Sequence, residues 1–290
     1  MITASPDPIS CKLLRNRIWI RTVTVALLLT PVLAGVWGFG IEPARLVIRH
    51  RGMELAGWPS DFRIAVLSDL HIGSPHVGLD KLQEIVKRTN AENPALVVLL
   101  GDFVTGGPNG RRAGGFVEPE QIAAELKKLR APLGVYAVLG NHDWWYDGER
   151  VGRALTEAGI PVLENQAVHL GNRLWLGGIA DFWTREPDIA GTLQQVEGDD
   201  PVILITHNPD IFPQVPARVS LTLAAHTHGG QVRLPIVGTL ITTSKRGYNA
   251  GEYVERGRHL FVTTGIGTSI VPVRFGVPPE IVILTLAAGR

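Results

Sequence analysis

The sequence has one cysteine, Cys11, among its 290 residues. That excludes a disulfide within the chain, and it excludes a structural zinc site built on several thiolates. Cys11 also precedes the longest apolar run, where the cysteine of a lipoprotein would follow one. Net charge is nearly lacking as well. With 28 basic and 27 acidic residues the balance is +1, so bulk charge gives no reason to expect a nucleic-acid partner. No G-x-S-x-G turn occurs, which removes the usual nucleophile of a serine hydrolase. Internal repeats and low-complexity segments are missing too. What remains is a chain that is 45% hydrophobic, enough for a sizeable core in the roughly 240 residues after the amino-terminal segment.

That segment is distinctive. Thr22 to Ile41 contains no charged residue, and its length is about the 20 residues a helix needs to cross a bilayer. Lys12, Arg15, Arg17 and Arg21 precede it, and Trp19 and Trp37 stand near its ends, where amphipathic rings favour the interface. Pro31 is expected to kink the helix, which membranes tolerate. The run is long for a signal peptide and lacks a good small-x-small cleavage site, so it reads as an uncleaved anchor. Residues 1–21 then form a short basic tail, 22–41 a transmembrane helix and 42–290 the functional domain. Arg45, Arg49 and Arg51 follow the span, so the basic bias slightly favours a cytoplasmic amino terminus and an outward-facing domain.

The domain alternates strand and helix at first. Strands are expected at Arg45 to Ala56 (a sheet edge), Phe62 to Leu67, Ala95 to Leu100 and Gly134 to Leu139. Helices are expected at Leu79 to Thr89, Pro119 to Leu129 and Arg150 to Ala158, with Gly106 to Gly115 as a loop. The second half is richer in strands. Val168 to Leu170 and Leu174 to Ile179 make a hairpin around Gly171-Asn172, followed by a helix at Ile189 to Val196. Further strands are expected at Val202 to Ile205, Ser220 to Ala224, Leu240 to Thr242, His259 to Thr263 and Glu280 to Leu286. Two mixed sheets packed face to face with helices outside fit this order.

Five strand-like runs end at once in side chains that bind metals. They lead into Asp69-Leu70-His71, Gly101-Asp102, Gly140-Asn141-His142-Asp143, Thr206-His207 and His226-Thr227-His228. Open α/β sheets place their sites beyond the carboxyl ends of strands. Singly, each Asp or Asn would be a turn residue or a cap, and each His a core histidine. Five such coincidences at five strand ends are another matter. Asp69, His71, Asp102, Asn141, His207, His226 and His228 make seven N and O ligands, enough for two cations with open positions. The lack of thiolates suits Mn, Fe, Zn or Co. A carboxylate at Asp102 could bridge. His142, between a ligand and Asp143, suits general acid work on a leaving oxygen.

In order, residue type and strand context, these segments resemble the signature of the calcineurin-like metallophosphoesterase superfamily over roughly residues 62 to 286. Thr206-His207-Asn208-Pro209-Asp210 and the segment from Gly265-Ile266-Gly267-Thr268 through Pro272, Arg274, Pro279 and Glu280 resemble its membrane-anchored or exported bacterial branch. The resemblance implies a four-layer αββα sandwich behind one transmembrane helix. It also implies single-pass attachment to the inner membrane with the domain extracytoplasmic, and two divalent metal ions, manganese first. Asp69, His71 and His228 would bind one ion, Asn141, His207 and His226 the other, with Asp102 between them. A hydroxide bridging the ions would attack a phosphate ester, and His142, oriented by Asp143, would protonate the leaving group. Two positions depart from the pattern: Ala225 stands where glycine is common, and no second aspartate follows Asp102. Two other readings stand beside this one. One is a pyrophosphatase for a nucleotide-linked lipid such as UDP-2,3-diacylglucosamine, and the other a non-catalytic scaffold that keeps the site.

Other residues carry weaker signals. Trp144, Trp145 and Tyr146 could line an apolar substrate groove or pack on a loop. Arg111 and Arg112 could meet a phosphate, and Arg246 and Tyr248 could touch substrate. Arg274 reads as structural and His76 as a surface histidine. Gly229 and Gly230 should permit tight backbone beside the metals.

Overall fold

The computed structural model describes residues 8–105, 115–171 and 173–289, with side chains from residue 16 onward. Arg111, Arg112, Asn172 and most of the 106–115 loop lie outside the described residues. In chain order, α1 (Pro8–Val36) passes through a π-helical turn (Trp37–Ile41) and a 3-10 turn (Glu42–Ala44) into β1 (Val47–Leu55). Then come β2 (Phe62–Leu67), α2 (Leu79–Ala91), β3 (Leu96–Leu99), α3 (Pro119–Leu126), β4 (Val135–Ala137) and α4 (Asn141–Glu157). The second half holds β5 (Gln166–His169), β6 (Trp175–Gly178), α5 (Ile189–Gln194), β7 (Val202–Ile205) and β8 (Leu221–Ala224). It ends with β9 (Arg233–Leu234), β10 (Gly238–Thr239), β11 (Gly251–Glu255), β12 (Arg258–Val262) and β13 (Glu280–Ala288).

The first sheet runs β1-β13-β2-β3-β4 and the second β11-β12-β8-β7-β6-β5; β9 and β10 form a separate hairpin. Period-2 alternation sorts the apolar side chains into layers. Ile64, Val66, Leu96, Val98, Val282 and Leu284 of the first sheet face Leu176, Ile203, Ile205, Leu221 and Leu223 of the second. Their neighbours Ala65, Leu67, Val97 and Leu99 point the other way, onto Leu82 and Ile85 of α2, Ile122 of α3 and Val151 of α4. Val202, Leu204, Leu260 and Val262 leave the second sheet outward onto Ile211, Phe212 and Val215. Each such side chain contributes about 1.5–3 kcal/mol on burial. The result is the four-layer αββα sandwich. Its fourth layer is thin: α5 and the 3-10 turn Pro209–Gln214.

Three elements differ from the sequence reading. Leu240 to Thr242 is not a strand, and β11 pairs antiparallel with β12 instead. The helix expected from Arg150 begins at Asn141, inside the motif itself. A non-helical Asp147 (φ −166°, ψ 83°) divides it, and its carboxylate accepts the Arg150 N–H at 3.0 Å, restarting the helix where periodicity became visible. Finally, α1 begins at Pro8, earlier than the expected Thr22, and holds Pro31 within it. Asn16–Ala44 is the one span among the described residues long and apolar enough to cross a membrane, and 6% of its apolar window is buried.

Candidate metal centre

The parallel strands β2, β3 and β4 of the first sheet and β7 and β8 of the second end at one place. There the structure brings together six of the seven residues expected as ligands, and the seventh, Asn141, opens α4 one residue before His142. All are buried, and none is more than 5% exposed. Potential ligand atoms of Asp69, His71, Asp102 and His228 lie within 4.8 Å of one another, and so do those of Asp102, His207 and His226. Asp102 belongs to both groups. His71 Nε2 and His207 Nε2 stand 3.5 and 3.3 Å from Asp102 Oδ2.

The backbone is bent to achieve this. Asp69, His71, Asp102, His226 and His228 all have φ between 43 and 69°, a region costly for residues with a Cβ. Glycines make the room. A Cβ at Gly265 would stand 2.5 Å from Asp69 Oδ2, and one at Gly140 would strike the Asp102 carboxylate. Ala225, by contrast, is fully buried between the sheets, so its methyl group packs where glycine was expected.

The polar atoms suit cations. His71 Nε2 and His228 Nε2 face each other at 3.2 Å, and His226 Nδ1 and His207 Nε2 at 3.1 Å. Both oxygens of Asp69 and Oδ1 of Asn141 are buried without a hydrogen bond. A buried carboxylate or amide so placed is costly unless a cation meets it. His207 Nδ1 lies 2.7 Å from the Leu100 carbonyl, to which it donates, so Nε2 is the ring atom turned to the site.

Burial pushes the Asp69 carboxyl up to about 7, against the opposing pull of His207. Burial would also raise Asp102, but the positive charge of His207 and His142 outweighs it and holds that carboxyl well below the usual range. His207 is pushed up to about 10, because Asp102 overcomes its burial. Burial depresses His71 and His226 to about 3, and His228 well below the ordinary value, so these three stay neutral with free lone pairs.

His142 sits in the first turn of α4, edge-on to His71 with ring centroids 4.7 Å apart. Its Nε2 lies 3.2 Å from Ser269 Oγ. Asp143 binds the backbone beside that ring. Its carboxylate accepts the backbone N–H groups of Asp102 (2.8 Å), Phe103 (2.8 Å), Val104 (3.2 Å) and Gly140 (2.9 Å), fixing the loop that carries Asp102.

The weaker candidates divide. Of the three aromatics after the motif, Trp145 reaches the site, 4.9 Å from the His142 ring. Trp144 packs into the α-side core beneath Arg185, and Tyr146 against Phe116. Tyr248 is core, its hydroxyl donating to Glu255 at 2.6 Å, and Arg246 lies exposed on the surface. Gly229 and Gly230 do adopt φ of 61 and 78°. Two residues were missed. Trp183 stands 4.2 Å from the His226 ring and 6.5 Å from Trp145. Its signal was available: it follows β6, a sixth strand ending on this side. Ser269 carried none. Arg274 is fully buried and donates to the carbonyls of Thr264, Gly267 and Val277 behind the site.

The family model described as calcineurin-like phosphoesterase matches residues 62–230. The metallophosphoesterase YkuE of Bacillus subtilis is 32% identical over 232 residues, covering 78% of this chain and 79% of YkuE. The phosphodiesterase YaeI of Escherichia coli is 31% identical over 252 residues, 83% of this chain and 87% of YaeI. A Danio rerio transmembrane protein with a metallophosphoesterase domain is 30% identical over 287 residues, 92% of this chain and 63% of that one. The chain therefore belongs to the calcineurin-like phosphoesterase family, and it is a metallophosphoesterase.

Proposed function

We propose that this protein is a membrane-tethered, dimetal-dependent hydrolase of phosphate esters. The observation that carries the reading is Asp102, one carboxylate shared by two groups of buried ligands. Asp69, His71 and His228 would hold one cation with it, and His207, His226 and Asn141 the other. When bound, two divalent cations acidify a water and neutralise charge on the phosphoryl oxygens; manganese is the first candidate, then iron, zinc and cobalt.

The chain's own residues do the rest. His142 is the general acid that gives a proton to the leaving oxygen, from a position fixed by its backbone N–H on Asp102 Oδ1 at 2.8 Å. Asp143 supports that position through the backbone. Trp145 and Trp183 form an apolar edge beside His142 and His226, suited to a leaving group with an apolar portion. The span Asn16–Ala44 anchors the domain to the inner membrane, with the domain on the extracytoplasmic face.

The test is hydrolysis by the full chain in detergent after loading with Mn²⁺, p-nitrophenyl phosphate beside bis-p-nitrophenyl phosphate, with His142→Ala as control. Metal-dependent turnover lost in the variant is expected. Undiminished turnover in the variant would remove His142 as the acid. The tryptophan edge and the anchor also favour a second reading, a pyrophosphatase acting on a nucleotide-linked lipid. Cleavage of such a lipid with neither nitrophenyl ester turned over would select it.

A further inference from the structure

Outside the anchor segment, nine large apolar side chains are exposed among the described residues, and six of them occupy two loops: Ile236, Val237, Leu240, Ile241, Ile270 and Val271. Ile236 is wholly exposed, Ile270 82% and Ile241 77%. Apolar side chains gathered this way on a surface mark an interaction site.

The two loops are joined to each other and to the anchor. Gln231 ties them, accepting the Ser269 N–H at 2.7 Å and donating to the Ser269 carbonyl at 3.1 Å. Residues 273–276 of the second loop dock on the end of the anchor: the Arg274 N–H donates to the Gly38 carbonyl at 2.9 Å and the Gly276 N–H to Glu42 at 3.0 Å. The Arg233 N–H of the hairpin donates to the Phe275 carbonyl at 2.7 Å. The apolar loops are thus continuous with the end of the one span able to enter a bilayer, where Phe39 and Ile41 are also exposed.

Charge points the same way. Residues 226–251 contain Arg233, Lys245 and Arg246, all exposed, and no acidic residue; residues 261–279 contain no acidic residue either. Apolar tips with a basic surround fit an anionic lipid surface, where such side chains enter the boundary between headgroups and acyl chains.

We propose that the 235–241 hairpin and the 269–272 loop form a second membrane contact, a collar that lays the domain on the bilayer beside its own anchor. The inference rests on the anchor reading above. Its consequence for the site is direct. Ser269, next to Ile270, stands 3.2 Å from His142 Nε2, so the acid opens at the rim of the collar. The substrate class this arrangement takes is an amphiphile whose phosphate lies at headgroup depth.

The experiment uses the full chain with Cys11→Ser, reconstituted in nanodiscs of mixed phosphatidylglycerol and phosphatidylcholine. Single nitroxide labels are introduced through Ile236→Cys, Ile270→Cys, Leu28→Cys within the anchor and Lys128→Cys in the exposed turn after α3. Collision with oxygen against a water-soluble nickel complex reports depth. Labels at 28, 236 and 270 in lipid, with 128 in water, are expected. A label at 28 in lipid with 236 and 270 in water overturns the collar and leaves the anchor standing. A label at 28 in water removes the anchor, and the proposal with it. Spin–spin broadening at 236 that vanishes on dilution with unlabelled protein would make a second copy of the chain the occupant, and would also overturn it.

Discussion

His142 and Asp102 are held in register through the backbone: the His142 N–H donates to Asp102 Oδ1, and the Asp102 N–H donates to Asp143 Oδ2, each at 2.8 Å. The proposed acid and the shared carboxylate therefore move together, and Asp143 is the pin. Their variants should separate. His142→Ala should lower kcat about 10²–10⁴-fold with unfolding temperature nearly unchanged. Asp143→Ala abandons four buried N–H groups and should cost on the order of 3–5 kcal/mol of stability as well as activity. Thermal unfolding beside kinetics on both variants checks this. A fully stable Asp143→Ala protein would contradict it.

Gly265→Ala should lower the metal content of the site without replacing a proposed ligand. The added methyl group meets Asp69, and φ at this position is 63°. Metal analysis of the purified variant should find less than the wild-type content. Wild-type content with wild-type activity would show that the loop yields.

Metal affinity should rise with pH in two stages. A carboxyl raised to about 7 at Asp69 holds its proton below that pH, and His207, raised to about 10, holds its proton below 10. Both protons must leave when cations bind. The logarithm of apparent affinity should climb with a slope of about two below pH 7 and about one from there to 10. Calorimetry of Mn²⁺ binding in buffers of different ionisation heat measures the released protons. Binding with no proton release at pH 6 would refute this.

Trp145→Ala and Trp183→Ala should each raise KM about tenfold for an aryl ester while leaving kcat within about threefold, because in the proposed reading they meet the substrate's apolar portion and not the reacting atoms. Loss confined to kcat would place these rings in the chemistry instead.

Much of the site was legible because strand ends advertise themselves. An apolar run of four to six residues followed at once by Asp or His is visible locally, and five such ends converge in any two-sheet sandwich of this order. The start of α4 was hidden because Asp147 breaks the helical period. The backbone contacts of Asp143 were hidden because no side-chain pattern reveals them. Ser269 meets His142 across 127 residues of sequence, a contact made by the fold alone.

The position of β13 has a consequence for how the protein comes into being. It lies between β1 and β2, although the whole second sheet is encoded between β2 and β13. While the chain is being synthesised, β2 has no partner on that flank, and the first three ligand segments wait on an unfinished sheet. Closure of such distant pairings is slow. Cations captured while only the first half has been made would meet Asp69, His71, Asp102 and Asn141 without His207, His226 and His228, so loading belongs after the second sheet has been made. On the proposed extracytoplasmic topology, a chain exported in extended form would keep that order and assemble its centre on the far side.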